Sequence, residues 1–190
     1  AADRPDAVAS MSAAMTEALT IIETPRLRLR TATPDDAAFY MELVNDPSWI
    51  ANIGQRNIHT LEAARAALEA GPMAQFRAHG YSLYIVEQRS DGAPVGMAGL
   101  VRRDSLPGPD IGYAIRPAYW GQGYAWEAAA AIVRHAQQVL GLRTLYGITS
   151  QQNQASINLL NKLGLRFERF SRLPPEGRET NIYRKDFRLD

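Results

Sequence analysis

The sequence predicts a single domain of mixed α/β class, and three observations carry that prediction. Strand-type runs alternate with segments of helical period along almost the whole chain. One unit is explicit: the strand-like Asp110–Ile115, a glycine-rich turn, then apolar residues at 125, 128, 129, 132, 133, 136, 139 and 140 on one helical stripe. A chain of 190 residues with 46% hydrophobic content is long enough for one substantial core, and no repeat or low-complexity linker divides it.

The elements follow in order. Residues 1–20 are Ala-rich with scattered charge and lack the apolar block of a signal peptide. They are expected to be a mobile extension, with a short helix over about 10–19, ahead of one domain spanning 21–190. Arg26–Arg30 alternates strictly between basic and leucine, a strand with one wet face. Thr33-Pro34-Asp35-Asp36 opens a helix to about Leu43, because a hydroxyl cap, a first-turn proline and carboxylates suit a helix start. Residues 45–57 read as a loop, and Thr60 opens a second helix to about Ala78. Tyr81–Glu87 and Ala93–Arg102 are strands joined by the turn signal Asp91-Gly92, with Gly96 and Gly99 as bulge candidates. The long helix ends near Gly141, and a strand follows over Thr144–Thr149. Asn153 caps a helix that Gly164 stops. Strands over 165–170 and about 181–187 close the chain around a Pro-Pro-Glu-Gly loop.

Composition narrows the function. Net charge is +1, from 21 basic and 20 acidic residues mixed along the chain, with no basic block of the kind that tracks nucleic acid. No cysteine is present, so disulfides, thiolate nucleophiles and Cys-ligated metals are excluded. The three histidines show no metal-ligand spacing, and no metal is expected. No apolar run approaches a membrane span. A cytoplasmic protein is expected.

The turn Trp120-Gly121-Gln122-Gly123-Tyr124-Ala125 is the most informative stretch. The first N–H groups of a helix lack carbonyl partners and carry partial positive charge, so a pyrophosphate can dock there without a lysine. Neither the Walker lysine nor the G-x-G-x-x-G pattern is present. A tight turn with no ligand is the plain alternative.

Trp120-x-x-Gly123-x-Ala125 resembles the Gln/Arg-x-x-Gly-x-Gly/Ala acetyl-CoA motif of the GNAT N-acetyltransferase superfamily. The run from Ile111 to Ala128 resembles the branch of ribosomal-protein N-terminal acetyltransferases. Glu23-Thr-Pro-Arg-Leu-Arg-Leu-Arg30 and Asn153–Gly164 agree with it, so the likeness covers roughly 21–189. That resemblance implies a GNAT fold: a mostly antiparallel sheet, helices on both faces and a splay between two parallel central strands, those at Asp110 and Thr144. It implies acetyl-CoA as co-substrate, with the pyrophosphate on the amides of about 121–126, from Gly121 to Trp126. The thioester carbonyl would meet a backbone N–H near Ile115, and Asn153 and Asn158 would anchor the coenzyme. Asn153 can equally be an N-cap.

For catalysis the resemblance points to Asp110 as general base, against the alternative of a solvated carboxylate at a strand start. Glu127, in the first helical turn, better complements the dipole. The tyrosine that many members carry seven positions after the Asn153-like residue is Leu160 here. Ser156 is the remaining hydroxyl on the face shared by 153, 156 and 160, either as the acid or as a helix-start group bonded to backbone. Trp49 and Ile50 are candidates for acceptor contact, or ordinary packing under a loop. Arg172, Arg178 and Arg184 either meet an acidic acceptor or, the plainer reading, are simply solvated. The expected activity is acetyl transfer to a primary amine, a protein N-terminus or a small molecule, by a monomer or homodimer. Two alternatives stand: a non-catalytic acyl-CoA-binding sensor or scaffold, and a turn for another phosphate ligand.

Overall fold

Alternation of apolar and polar residues builds one large sheet, and the helical stripes cover both of its faces. The computed structural model describes residues 17–174 and 177–188. The strands are β1 (Thr20–Glu23), β2 (Leu27–Arg30), β3 (Leu83–Gln88), β4 (Pro94–Val101), β5 (Asp110–Ile115), β6 (Thr144–Ser150), β7 (Arg166–Leu173) and β8 (Arg178–Asp186). They lie in the order β1-β2-β3-β4-β5-β6-β8-β7. Every neighbouring pair is antiparallel except β5 and β6, which run parallel. This is the mixed α/β sheet that the sequence predicts.

The helices are α1 (Ala37–Val44), α2 (Pro47–Asn52), α3 (Leu61–Leu68), α4 (Ala74–His79), α5 (Tyr124–Gln138) and α6 (Gln154–Lys162). The stripe of α5 places Ala128, Ala129, Ile132 and Ala136 against Leu27, Val86, Ala98, Ile111 and Leu145, forming the core on one face. The opposite face is covered by α1, α2 and α3, whose Phe39, Leu43, Trp49, Ala64 and Leu68 meet Ile85 and Met97. Strand residues two apart share a face. The register therefore sends Ile111, Tyr113 and Ile115 toward α5 and α6, while Ala114 packs toward α1–α3.

Several boundaries differ from the expectation, each for a physical reason. The stretch 45–57 is not all loop, since it contains α2. The signal was Asp46-Pro47: the Asp46 side chain accepts from Ser48 N–H at 2.8 Å, and proline sits where a missing N–H costs nothing. The second helix runs nearly as long as predicted but passes through a π turn at Glu69–Met73, where Pro72 breaks the α pattern. Gly96 borders a bulge and Gly99 does not, and close backbone approach asks for glycine at both. A Cβ at Gly96 would fall 2.2 Å from the carbonyl oxygen of Ala114, and one at Gly99 would fall 2.0 Å from that of Ser82. The register shift of this hairpin lies where Val86 pairs with Gly96 and Glu87 with Pro94, leaving Val95 as the extra residue. Strand β1 begins at Thr20, inside the stretch expected to be an extension, while the predicted helix over 10–19 lies mostly outside the described residues.

Candidate active site

Strands β5 and β6 pair only at Asp110 with Tyr146 and Ile111 with Gly147, then separate. The gap therefore opens at Gly112 and widens toward the β5 C-terminus. Main-chain hydrogen bonds define what lines it. Arg116 N–H donates to the Val95 carbonyl at 2.8 Å, and Gly96 lies opposite Ile115. In an antiparallel ladder this makes Gly96–Ile115 a pair whose N–H and C=O groups point away from each other. With a two-residue period, Tyr113 and Ile115 turn theirs into the gap. The Ile115 carbonyl accepts from the Trp120 indole N–H at 2.7 Å. Trp120 thus folds back on β5, with 56% of its surface exposed.

The gap leads to the glycine turn. Gly121 (φ 76°) and Gly123 (φ 79°) both adopt the left-handed conformation, which costs a residue with a Cβ about 1 kcal/mol or more. Backbone conformation, as well as room for a ligand, requires glycine here. Gly123 is the N-cap of α5 and offers no side chain to its first N–H groups. Tyr124 is buried, its hydroxyl accepting from Gln88 Nε2 at 3.3 Å, so it presents only backbone to the turn. Gln122 is exposed, Ala125 is half-buried, and the Trp126 ring lies 4.1 Å from Lys162 Nζ.

Two of the sequence motifs meet at Glu127. Its carboxylate accepts from Thr24 Oγ1 at 2.6 Å, from Arg26 N–H at 3.0 Å and from Arg26 Nε at 2.7 Å. Burial raises this carboxyl, but those bonds and the guanidinium charge outweigh it, leaving it below its ordinary value. Glu127 therefore does more than complement the dipole: it ties the β1–β2 turn to the first turn of α5. Arg26 also lies 4.5 Å over the Tyr124 ring.

Asp110 is not the solvated carboxylate that was the alternative. It is 1% exposed and pairs with Arg103 Nε at 2.9 Å. Burial pushes its carboxyl up to about 6, with the charge and hydrogen bond of Arg103 pulling the other way. It sits where β5 and β6 are still paired, on the face opposite Tyr113.

On α6, Asn153 Oδ1 accepts from Ser156 N–H at 3.2 Å, the geometry of an N-cap. Asn158 is exposed and accepts from Gln154 Nε2 at 2.7 Å. Positions 153, 156 and 160 share a face that meets two strands: Ser156 reaches the Tyr113 hydroxyl of β5, while Leu160 is buried against Gly147 of β6, where an added Cβ would meet its Cδ2 at 2.6 Å. Tyr113 was missed by the sequence reading. Its hydroxyl lies 2.9 Å from Ser156 Oγ, joining β5 to α6 across the gap. Only its place in Ile-Gly-Tyr, three residues beyond Asp110, could have drawn attention to it. Trp49 is buried in the second core with its indole N–H unpartnered, and Ile50 is half-buried beside it.

The model for the acetyltransferase (GNAT) domain matches residues 26–166, three quarters of the chain. The chain belongs to the GNAT acetyltransferase family. It is an acyltransferase by that membership. The uncharacterized N-acetyltransferase YoaA of Bacillus subtilis is 27% identical to it over 149 residues, covering 78% of this chain and 84% of YoaA. Its fold is similar to that of an acetyltransferase from Agrobacterium tumefaciens, with a TM-score of 0.75, 23% identity and coverage of 89% and 95%. RimL, the ribosomal L7/L12 α-N-protein acetyltransferase solved with coenzyme A, superposes with a TM-score of 0.75 at 17% identity, covering 88% of this chain and 98% of RimL. In this GNAT chain the β5–β6 gap exposes main-chain groups of β5, and the turn before α5 presents the positive end of that helix. Among the described residues no group of His, Asp or Glu could hold a metal ion, and no helix is long and apolar enough to cross a membrane.

Proposed function

We propose that this GNAT protein moves an acetyl group from acetyl-CoA directly to a primary amine held in the same complex. The observation that carries the reading is the β5–β6 gap, which lines the Tyr113 and Ile115 main-chain groups up with the left-handed turn Gly121–Gly123. In this reading the amides of 121–126 hold the pyrophosphate and the free N–H groups of β5 hold the pantetheine arm and the thioester carbonyl, the latter as an oxyanion donor. In the same reading Asn153 and Asn158 anchor the coenzyme, as the motif resemblance implies. Acetyl-CoA supplies the activated acyl group. With no cysteine in the chain, no thioester can form on the protein.

Asp110 serves as base. A carboxyl at about 6 is largely ionised at neutral pH and still basic enough to accept a proton, directly or through water, from an ammonium. Ser156 supplies the hydroxyl on the sulfur side. The acceptor enters from the α1–α3 face, where α2 with Trp49 and Ile50 forms one wall. The likeness to RimL supports a protein N-terminus as acceptor, with a small amine as the other candidate.

A binding domain without turnover is the second reading, favoured by one observation: Leu160 fills the usual tyrosine position and is buried. The first experiment is the unfolding midpoint with and without saturating acetyl-CoA, because a ligand of the native state alone must raise it. A rise of several degrees, lost in Gly123→Val, supports the coenzyme reading. Release of free thiol with a panel of N-terminal peptides and small amines then supports catalysis, and binding without release supports the sensor. No rise with acetyl-CoA or CoA rejects both.

A further inference from the structure

We propose that Tyr113 is a positioning residue for acetyl transfer: its phenol hydroxyl aims the Ser156 hydroxyl at the sulfur and supplies, from β5, the tyrosine that α6 lacks. The inference rests on the acetyl-transfer reading above and deepens it.

Three observations converge. First, α6 cannot present a hydroxyl from position 160. Leu160 is 1% exposed and its side chain packs against Gly147, in the layer that joins α6 to the sheet. Second, Ser156 is fixed at the gap through its own backbone, whose N–H is bound by Asn153 Oδ1. Third, Tyr113 comes from the opposite wall. Its hydroxyl lies 2.9 Å from Ser156 Oγ and 3.3 Å from the Ser156 carbonyl oxygen. Its main-chain N–H points into the gap that the coenzyme arm would occupy.

The two distances define two proton arrangements, since a phenol has one hydrogen to donate. When Tyr113 donates to the Ser156 carbonyl, the serine hydroxyl is satisfied by donating to the phenol oxygen and is withheld from the gap. When Tyr113 donates to Ser156 Oγ, the serine hydrogen is free to point outward. Only the second arrangement gives a donor toward the sulfur, and the bond it receives from Tyr113 polarises it. Burial pushes the Tyr113 phenol up to about 12, against the lowering effect of its bond to Ser156. That is too weak an acid to surrender its proton to a thiolate, so its part is hydrogen bonding and not net proton transfer.

The step balances without further reactants. The C–N bond forms and the C–S bond breaks. The electron pair of the C–S bond stays on sulfur. Ser156 donates a hydrogen bond to that sulfur as charge builds, and Tyr113 donates to Ser156. Both hydroxyls keep their protons: Asp110 takes the first proton of the ammonium, directly or through water, and the second, lost from nitrogen once the C–N bond has formed, ends on sulfur or in solvent.

The test uses the full chain and four forms: wild type, Tyr113→Phe, Ser156→Ala and the double variant. Phenylalanine keeps the ring packing against the first core, and Ser156→Ala reads the same pair from the other side. Binding of CoA is measured first by the shift in unfolding midpoint. The bound thiol is then titrated by thiolate absorbance, and kcat and KM are measured with one accepted amine. The expected result is about a tenfold fall in kcat for Tyr113→Phe with KM for acetyl-CoA unchanged, the size of one hydrogen bond strengthened in the transition state. The bound thiol should titrate higher in Tyr113→Phe than in wild type. In the Ser156→Ala background Tyr113→Phe should add nothing to either readout, because its action runs through the serine. Additive effects, or wild-type titration in Tyr113→Phe, overturn the proposal while CoA binding leaves the coenzyme reading standing. Failure of CoA to shift the midpoint overturns both.

Discussion

Asp110 shows how one residue acquires its chemistry from its surroundings. A carboxylate at a strand start would titrate near 4 in water, but here burial raises it to about 6 despite the nearby Arg103. The sign of the consequence is fixed. A carboxyl raised in the folded state contributes most below its unfolded value, and that contribution is lost as pH rises through about 6. Roughly 3 kcal/mol of stability should disappear between about pH 4 and 7 on account of this group. Urea unfolding at pH 4.5 and 7.5 checks this: Asp110→Asn should flatten the decline seen in wild type. The same group predicts activity that rises with pH through about 6, and a kcat/KM profile of Asp110→Asn with that limb gone. An unchanged limb would assign the base elsewhere.

Element α6 illustrates how one helix face can meet two strands. Asn153 caps the start, Ser156 faces the gap and Leu160 anchors the helix to Gly147 of β6. Replacing Leu160 with tyrosine would therefore not restore an acid. The larger ring would be forced against Gly147 and Leu165, and overpacking of this kind costs about 1–3 kcal/mol. Leu160→Tyr should lower the unfolding midpoint and give no increase in kcat, whereas a gain in kcat would show that the helix can rotate its face into the gap. Glu127 makes the complementary point for α5. A side chain that suits any helix start is here the anchor that joins the β1–β2 turn to the coenzyme turn.

At the scale of the molecule, the site exists because one sheet carries two cores. The face under α5 and α6 holds Ile111 and Leu145, and the face under α1–α3 holds Ile85 and Met97. The strands are common to both, so loss of either core exposes the other. Unfolding should then be a single transition. Of the three tryptophans Trp49 is buried, and Trp120 and Trp126 are exposed. In a Trp120→Phe, Trp126→Phe background, Trp49 fluorescence should follow urea with the same midpoint as far-UV circular dichroism. Separate midpoints would show that the α1–α3 face melts independently.

The sequence alone determined what is local or periodic. The α5 stripe, the Asp91-Gly92 hairpin, the Asn153 cap and the glycine turn are each written in neighbouring residues, because propensity, capping and helical period act over a few positions. The motif resemblance carried the parallel β5–β6 pair and its splay. The Asp46-Pro47 start of α2 was equally legible and was passed over. Tertiary structure decided what depends on residues distant in the chain. It set the burial of Asp110 with Arg103, the meeting of Thr24 and Arg26 with Glu127, and the inward turn of Leu160. It also set the bond from Tyr113 to Ser156, 43 positions apart. Their roles follow from dielectric, register and contact, and those are fixed only when β5, β6 and α6 have packed around the same opening.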